Sequence, residues 1–200
     1  MLEEVWFATD KGSIFGMAAG SPGEPLLLGI HGWSQRNGWH TWKPLMEPLA
    51  EAGYRVVSVD MPGWGQSPAW DNEPLAEEDA VSAVLAIMDG VGISQATLMG
   101  KSWGGGVAIK TALTYPNRVD RLLLTAPAFR EPERLGEIQQ PVLLAWAEDD
   151  PVIPIRFAAY YVDAIPVVEL VTYPTGGHSA APSNAEEFAA SAIAFLEPAE

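Results

Sequence analysis

Six short apolar runs punctuate this chain, and stretches of helical composition fill the gaps between them. The runs are PLLLGI (25–30), YRVVSV (54–59), QATLM (95–99), VDRLLLT (119–125), PVLLAWA (141–147) and PVVELVT (166–172). PLLLGI has no polar side chain, which suits a strand covered on both faces. The intervening sequence predicts helices over 42–52, about 75–90, 103–115, about 154–164 and 184–196. Pro44 near the start and Gly53 at the stop bound the first of them. Strands alternating with helices build a parallel sheet with helices on both faces. Upstream, Val5-Trp6-Phe7 and Ile14 to Met17 flank Asp10-Lys11-Gly12, the pattern of an antiparallel hairpin. Residues 61–74 read as a Pro/Gly loop. No repeat or low-complexity linker divides the 200 residues, so the expectation is a single α/β domain over 1–200.

Ligands of open parallel sheets sit at the carboxyl ends of the strands. The loops that follow the runs are therefore the ones to read. They carry His31-Gly32-Trp33, then Asp60 to Gly65, then Gly100-Lys101-Ser102-Trp103-Gly104, then Glu148-Asp149-Asp150-Pro151, and last Gly176-Gly177-His178. One edge of the sheet thus gathers a serine, an acid pair, a histidine and a glycine-bracketed turn.

The stretch GKSWGGG (100–106) passes directly from a strand into a helix. A serine raised clear of the sheet there needs a very tight turn and a strained backbone with positive φ. Residues two positions away must then be small, as Gly100 and Gly104 are. The new helix directs its N–H groups and partial positive charge at the reacting centre. The backbone N–H of Trp103 is suited to stabilising an oxyanion. A phosphate-binding loop is the competing reading of Gly100-Lys101-Ser102. The earlier glycine that such a loop requires would fall at 95, which is Gln95.

A serine hydroxyl is a weak nucleophile that needs a base, and the base needs an orienting acid. The chain has three histidines. His31 precedes a glycine turn and reads as structural, and His40 precedes a helix and reads as exposed. His178 follows the last strand and reads as the base. Asp150 is favoured as the acid because the proline-containing turn begins right after it. Asp149 then reads as a helix-start acid.

Composition narrows the partners. The formal net charge is −15, with 26 acidic and 11 basic residues, which repels nucleic-acid phosphates and anionic lipid. No cysteine is present, which removes disulfides, thiolate catalysis and cysteine metal sites. No run reaches the ~18–20 apolar residues that cross a bilayer. The first twelve residues are unlike a secretory leader, so a cytoplasmic location is expected. The oligomeric state is left open.

The motifs HGW (31–33), DMPGWGQS (60–67), GKSWGGG (100–106), WAEDDPVIP (146–154) and GGHSA (176–180) together resemble the α/β-hydrolase superfamily over nearly the whole chain. The resemblance implies an α/β-hydrolase fold, a Ser102–His178–Asp150 triad and an oxyanion hole from the backbone N–H groups of Trp33 and Trp103. It implies no metal and no cofactor. Many relatives carry a helical cap after the strand ending near Thr125. Here about 15 residues fill that interval, enough for a loop and a short helix. The layout is similar to the small lidless CCG1-interacting factor B group. Trp39 and Trp64 are candidate pocket residues, although large rings also anchor loops; Trp70 and Trp42 lie nearby, and Met46, Met61 and Met99 suit core or pocket filling. Lys101 replaces the histidine frequent at its position. It is either a surface ion-pair member or a cation for an anionic substrate. The implied activity is cleavage of small carboxylic esters through an acyl-enzyme. Amide or carbon–carbon hydrolysis, acyl transfer, or a binding protein that keeps the fold are the alternatives.

Overall fold

The computed structural model describes residues 1–71 and 74–197, so part of the predicted 61–74 loop lies outside the described residues. Among the described residues eight strands form one sheet in the order β1-β2-β4-β3-β5-β6-β7-β8. They are β1 (Glu3–Thr9), β2 (Gly12–Ala19), β3 (Leu26–Ile30), β4 (Arg55–Val59), β5 (Ala96–Lys101), β6 (Val119–Thr125), β7 (Val142–Ala147) and β8 (Val168–Tyr173). The hairpin β1–β2 is antiparallel, β2 joins β4 antiparallel, and all later neighbours are parallel. The sheet is thus mostly parallel with an N-terminal antiparallel hairpin, the arrangement the sequence led one to expect.

The helices are α1 (Lys43–Glu51), α2 (Glu77–Val91), α3 (Trp103–Thr114), α4 (Ala158–Ala164), α5 (Ala180–Ser183) and α6 (Ala185–Leu196). The runs of the inner strands β3, β4 and β7 are buried because each strand feeds both faces of the sheet, whereas the edge strand β8 leaves Glu169, Leu170 and Thr172 exposed. Leu122 and Leu124 enter one core, with residues of α2, α3 and α4. Leu123 enters the other, with residues of α1, α5 and α6. Leu143 and Leu144 divide in the same way. Each such leucine contributes on the order of 2 kcal/mol through the water its surface leaves. Helix α2 starts on Glu77, Glu78 and Asp79, which favour its positive N-terminal end.

Three elements depart from the sequence reading. Strand β5 runs two residues beyond Met99, because Gly100 and Lys101 pair with Leu124 and Thr125. The helix expected from 154 begins with a 3-10 turn at Ile155–Phe157, and α-helix follows only from Ala158. Pro154, at the head of that turn, is extended rather than helical. Helix α5 was not foreseen; its Pro182 argues against helix in the sequence, yet it spans one turn ahead of α6. Between β6 and β7 lies a 3-10 segment, Pro132–Glu137, and no cap of helices. Among the described residues no helix is long and apolar enough to cross a membrane.

Candidate active site

Ser102 occupies the turn from β5 into α3 with φ 52 and ψ −117. This backbone costs a non-glycine residue on the order of 1–3 kcal/mol and persists only where neighbours over-determine it. They do so here. The Ser102 N–H donates to the Thr125 carbonyl at 3.0 Å, and its own carbonyl accepts from the N–H of Ala128 at 2.8 Å and of Gly106 at 3.1 Å. The bracketing glycines are required by close approach. A Cβ on Gly104 would lie 2.4 Å from the His31 carbonyl oxygen, and one on Gly100 would lie 2.6 Å from that of Gly104.

His178 follows the Gly176-Gly177 turn, in which both glycines have positive φ. Its Nδ1 lies 2.9 Å from Asp150 Oδ2. The other carboxylate oxygen, Oδ1, accepts the backbone N–H groups of Val152 at 2.8 Å and Ile153 at 3.0 Å. The Asp150 carboxyl is wholly buried, whereas the His178 ring keeps some solvent contact. A carboxylate accepting at Nδ1 places the proton there and leaves the Nε2 lone pair free. Asp149, read from sequence as a helix-start acid, instead accepts the Gly177 N–H at 2.8 Å. Nothing in the local sequence signals that bond.

Thr125 connects the two loops. Its carbonyl holds the Ser102 N–H, and its hydroxyl accepts the Ala181 N–H at 3.3 Å, three residues past His178. The Ser102 hydroxyl and the His178 ring are not hydrogen-bonded to each other in this structure. Bonds of this kind often tighten only when substrate is bound.

The backbone N–H groups of Trp33 and Trp103 find no acceptor among the described residues. His31 fixes the first of these loops. Its Nδ1–H donates to the Gly32 carbonyl at 2.7 Å and its Nε2 accepts the Met61 N–H at 3.0 Å. The ring is fully buried, and that burial pushes its pKa down to about 4. Asp60 latches the neighbouring loops, accepting the Trp39 N–H at 2.7 Å and the Gln66 N–H at 2.9 Å. His40 is exposed, as its position suggested.

The tryptophans divide. Trp33, Trp64 and Trp103 form one cluster with centroids 5.2–5.3 Å apart, Trp64 stacked on Trp103. Trp33 is exposed and Trp64 buried, its Nε1 donating to the Trp33 carbonyl. Both line a cavity of about 590 Å³ with Pro62 and Leu75. Trp39 turns elsewhere and packs against the core under α1, with Lys43 Nζ 6.0 Å from its ring. The structure does not bring it to the cavity that Trp33 and Trp64 line. Trp42, Trp70, Met46, Met61 and Met99 are core. Lys101 is half-buried and forms no ion pair among the described residues; its Nζ donates to Asn37 Oδ1 at 3.4 Å. A second, more apolar cavity of about 500 Å³ is walled by Phe129, Ile153, Phe157, Tyr160 and Tyr161. Its Ile153 is bonded to Asp150, and its Ala128 to Ser102.

The family model described as the alpha/beta hydrolase fold matches residues 25–134, and the chain belongs to that family. It is 33% identical over 109 residues to "Epoxide hydrolase 4" of Mus musculus, covering 54% of this chain and 30% of the relative. It is 37% identical over 106 residues to the "2-hydroxy-6-oxononadienedioate/2-hydroxy-6-oxononatrienedioate hydrolase" of Burkholderia vietnamiensis, covering 52% of this chain and 36% of the relative. The matched segment thus spans about a third of these curated relatives. Among solved structures, a "predicted CIB-like hydrolase" from Thermoplasma acidophilum superposes with a TM-score of 0.90 at 26% identity, over 98% of each chain.

Proposed function

We propose that this chain is a serine hydrolase that cleaves small carboxylic esters through an acyl-enzyme. The observation that carries the reading is the strained Ser102 backbone, clamped by Thr125 and Ala128, on the same sheet edge as the hydrogen-bonded Asp150–His178 pair. Backbone strain of this kind clusters at active sites.

His178 Nε2 takes the Ser102 proton, and the alkoxide attacks the ester carbonyl. The N–H groups of Trp33 and Trp103 hold the oxyanion, where a pre-set donor pair is worth several kcal/mol. Asp150 keeps the imidazole in the Nδ1–H tautomer and stabilises its charged form. His178 then protonates the leaving alcohol, and water releases the acid by the same steps. A site of Ser, His and Asp calls for no cofactor, and a small-molecule ester is the partner.

A second reading keeps the residues and changes the bond. The name of the Burkholderia relative favours cleavage of an oxo-dienoate in place of an ester. The test is labelling of the purified protein with a fluorophosphonate, followed by turnover of 4-nitrophenyl acetate and of an oxo-dienoate. Labelling lost in Ser102→Ala, with the acetate as the better substrate, supports the ester reading. Labelling that survives in Ser102→Ala overturns it.

A further inference from the structure

Resting on the reading above, we propose that the ester carries a second, free carboxylate, received beside Ser102 by the ammonium of Lys101.

Lys101 ends β5 and directly precedes Ser102. It is half-buried, yet its one hydrogen bond among the described residues is a long one, 3.4 Å to Asn37 Oδ1. An ammonium has three donors, so most of its capacity is unspent. Withdrawing such a charge from water without a partner is costly. Burial holds its pKa below the ordinary lysine value, with the charge of Asp150 pulling the other way. Asn37 is itself positioned, donating from Nδ2 to the Ser34 carbonyl at 3.1 Å. A Cβ on Gly32 would lie 3.5 Å from that Nδ2 and 3.7 Å from Ser102 Cβ. The amide that touches the ammonium and the nucleophile therefore close on the same bare glycine.

The wider charge pattern points the same way. Of the 11 basic residues, six are ion-paired with a carboxylate, Lys11 with Asp79 and Lys110 with Glu131 among them. The other five, Arg36, Lys43, Lys101, Arg130 and Arg156, have no such partner among the described residues. All five lie in the segments at or after the carboxyl ends of β3, β5, β6 and β7, the edge that holds Ser102. In a chain of net charge −15, unpaired cations have carboxylates to spare. Their gathering on one edge makes a local field that draws anions to the cleft. The same edge carries Glu77, Glu148 and Asp149, and Asp149 is bonded to Gly177. Asp60 and Asp150 are buried with their oxygens accepting N–H groups.

The test compares the 4-nitrophenyl half-ester of adipic acid, a monoanion, with neutral 4-nitrophenyl hexanoate of the same acyl length. At low ionic strength the wild type should favour the monoanion in kcat/KM by about tenfold, the scale of one charge-assisted hydrogen bond. Lys101→Met should bring the ratio to about one, and Lys101→Arg should restore part of it. No preference in the wild type, or an unchanged ratio in Lys101→Met, overturns the proposal. Equilibrium dialysis of the half-ester against Ser102→Ala, with and without Lys101→Met, reads the same site without turnover. Binding that Lys101→Met weakens about tenfold supports the site, and equal binding overturns it. Lys101-dependent binding without turnover of either ester by the wild type counts against ester cleavage and leaves the anion site standing. Circular dichroism checks the fold, and Lys101→Gln replaces the methionine variant if that one unfolds.

Discussion

The Asp149 carboxylate accepts the backbone N–H of Gly177 at 2.8 Å, one residue ahead of the histidine that its neighbour Asp150 holds at 2.9 Å. Two consecutive acids on one turn thus grip one loop, the first by its backbone and the second by its imidazole. The grips have different consequences. Asp150→Asn should lower kcat for 4-nitrophenyl acetate by roughly a thousandfold or more, because the amide favours the wrong tautomer. Asp149→Ala should lower it only about tenfold, by loosening the placement of an otherwise intact base. Steady-state kinetics on the two variants separate these outcomes, and equal losses would contradict the division of roles.

Replacing Ser102 should separate activity from stability. Ser102→Gly removes the proposed nucleophile and also the steric cost of φ 52. The variant should be inactive and more stable than the wild type by about 1 kcal/mol, allowing for the extra freedom glycine gives the unfolded chain. Urea unfolding followed by tryptophan fluorescence measures the difference. A less stable glycine variant would show that the serine side chain is not under strain.

His31 ties folding to pH. The unfolded imidazole takes up a proton near 6.5, whereas the buried one does so only near 4. Between those values the unfolded chain binds the extra proton, so stability declines as the pH falls through that window. The full loss is on the order of 3 kcal/mol. Urea midpoints at pH 7, 6, 5 and 4.5 should fall accordingly for the wild type. His31→Gln should start lower and fall less steeply.

The tight turn leaves no room at its second glycine. Gly104→Ala would bring a methyl group to 2.4 Å from one backbone oxygen, that of His31, and 2.5 Å from another, that of Ile30. Backbone cannot yield as a side-chain tip can, so the loss should be about 3 kcal/mol, at the upper end for overpacking. Gly23→Ala, where nothing lies within 4 Å, provides the control for a glycine with positive φ in open space.

The parts of the molecule that could be read in advance share a physical cause. Runs such as PLLLGI and PVLLAWA are apolar because both faces of each strand meet helices, and that requirement is written in every residue. The positive φ at Ser102 was legible because glycine is the residue that tolerates such crowding. The bond from Asp149 to Gly177 was not, since an exposed-looking acid between two other acids carries no mark of a partner 28 positions on. The tryptophans were equally mute. Trp33 and Trp39 sit six residues apart in one loop, yet one joins the cavity wall and the other joins the core beneath α1. Their division depends on which face of the sheet the chain has reached. The end of β5 was read short because strand composition stops at Met99 while the ladder, held by β6, goes on to Lys101.

Thr125 binds one loop through its carbonyl and another through its hydroxyl. A single rung of the sheet therefore serves as common datum for hydroxyl and imidazole alike. A shift of that rung would carry both loops together, so the gap across which the proposed proton transfer runs should keep its width.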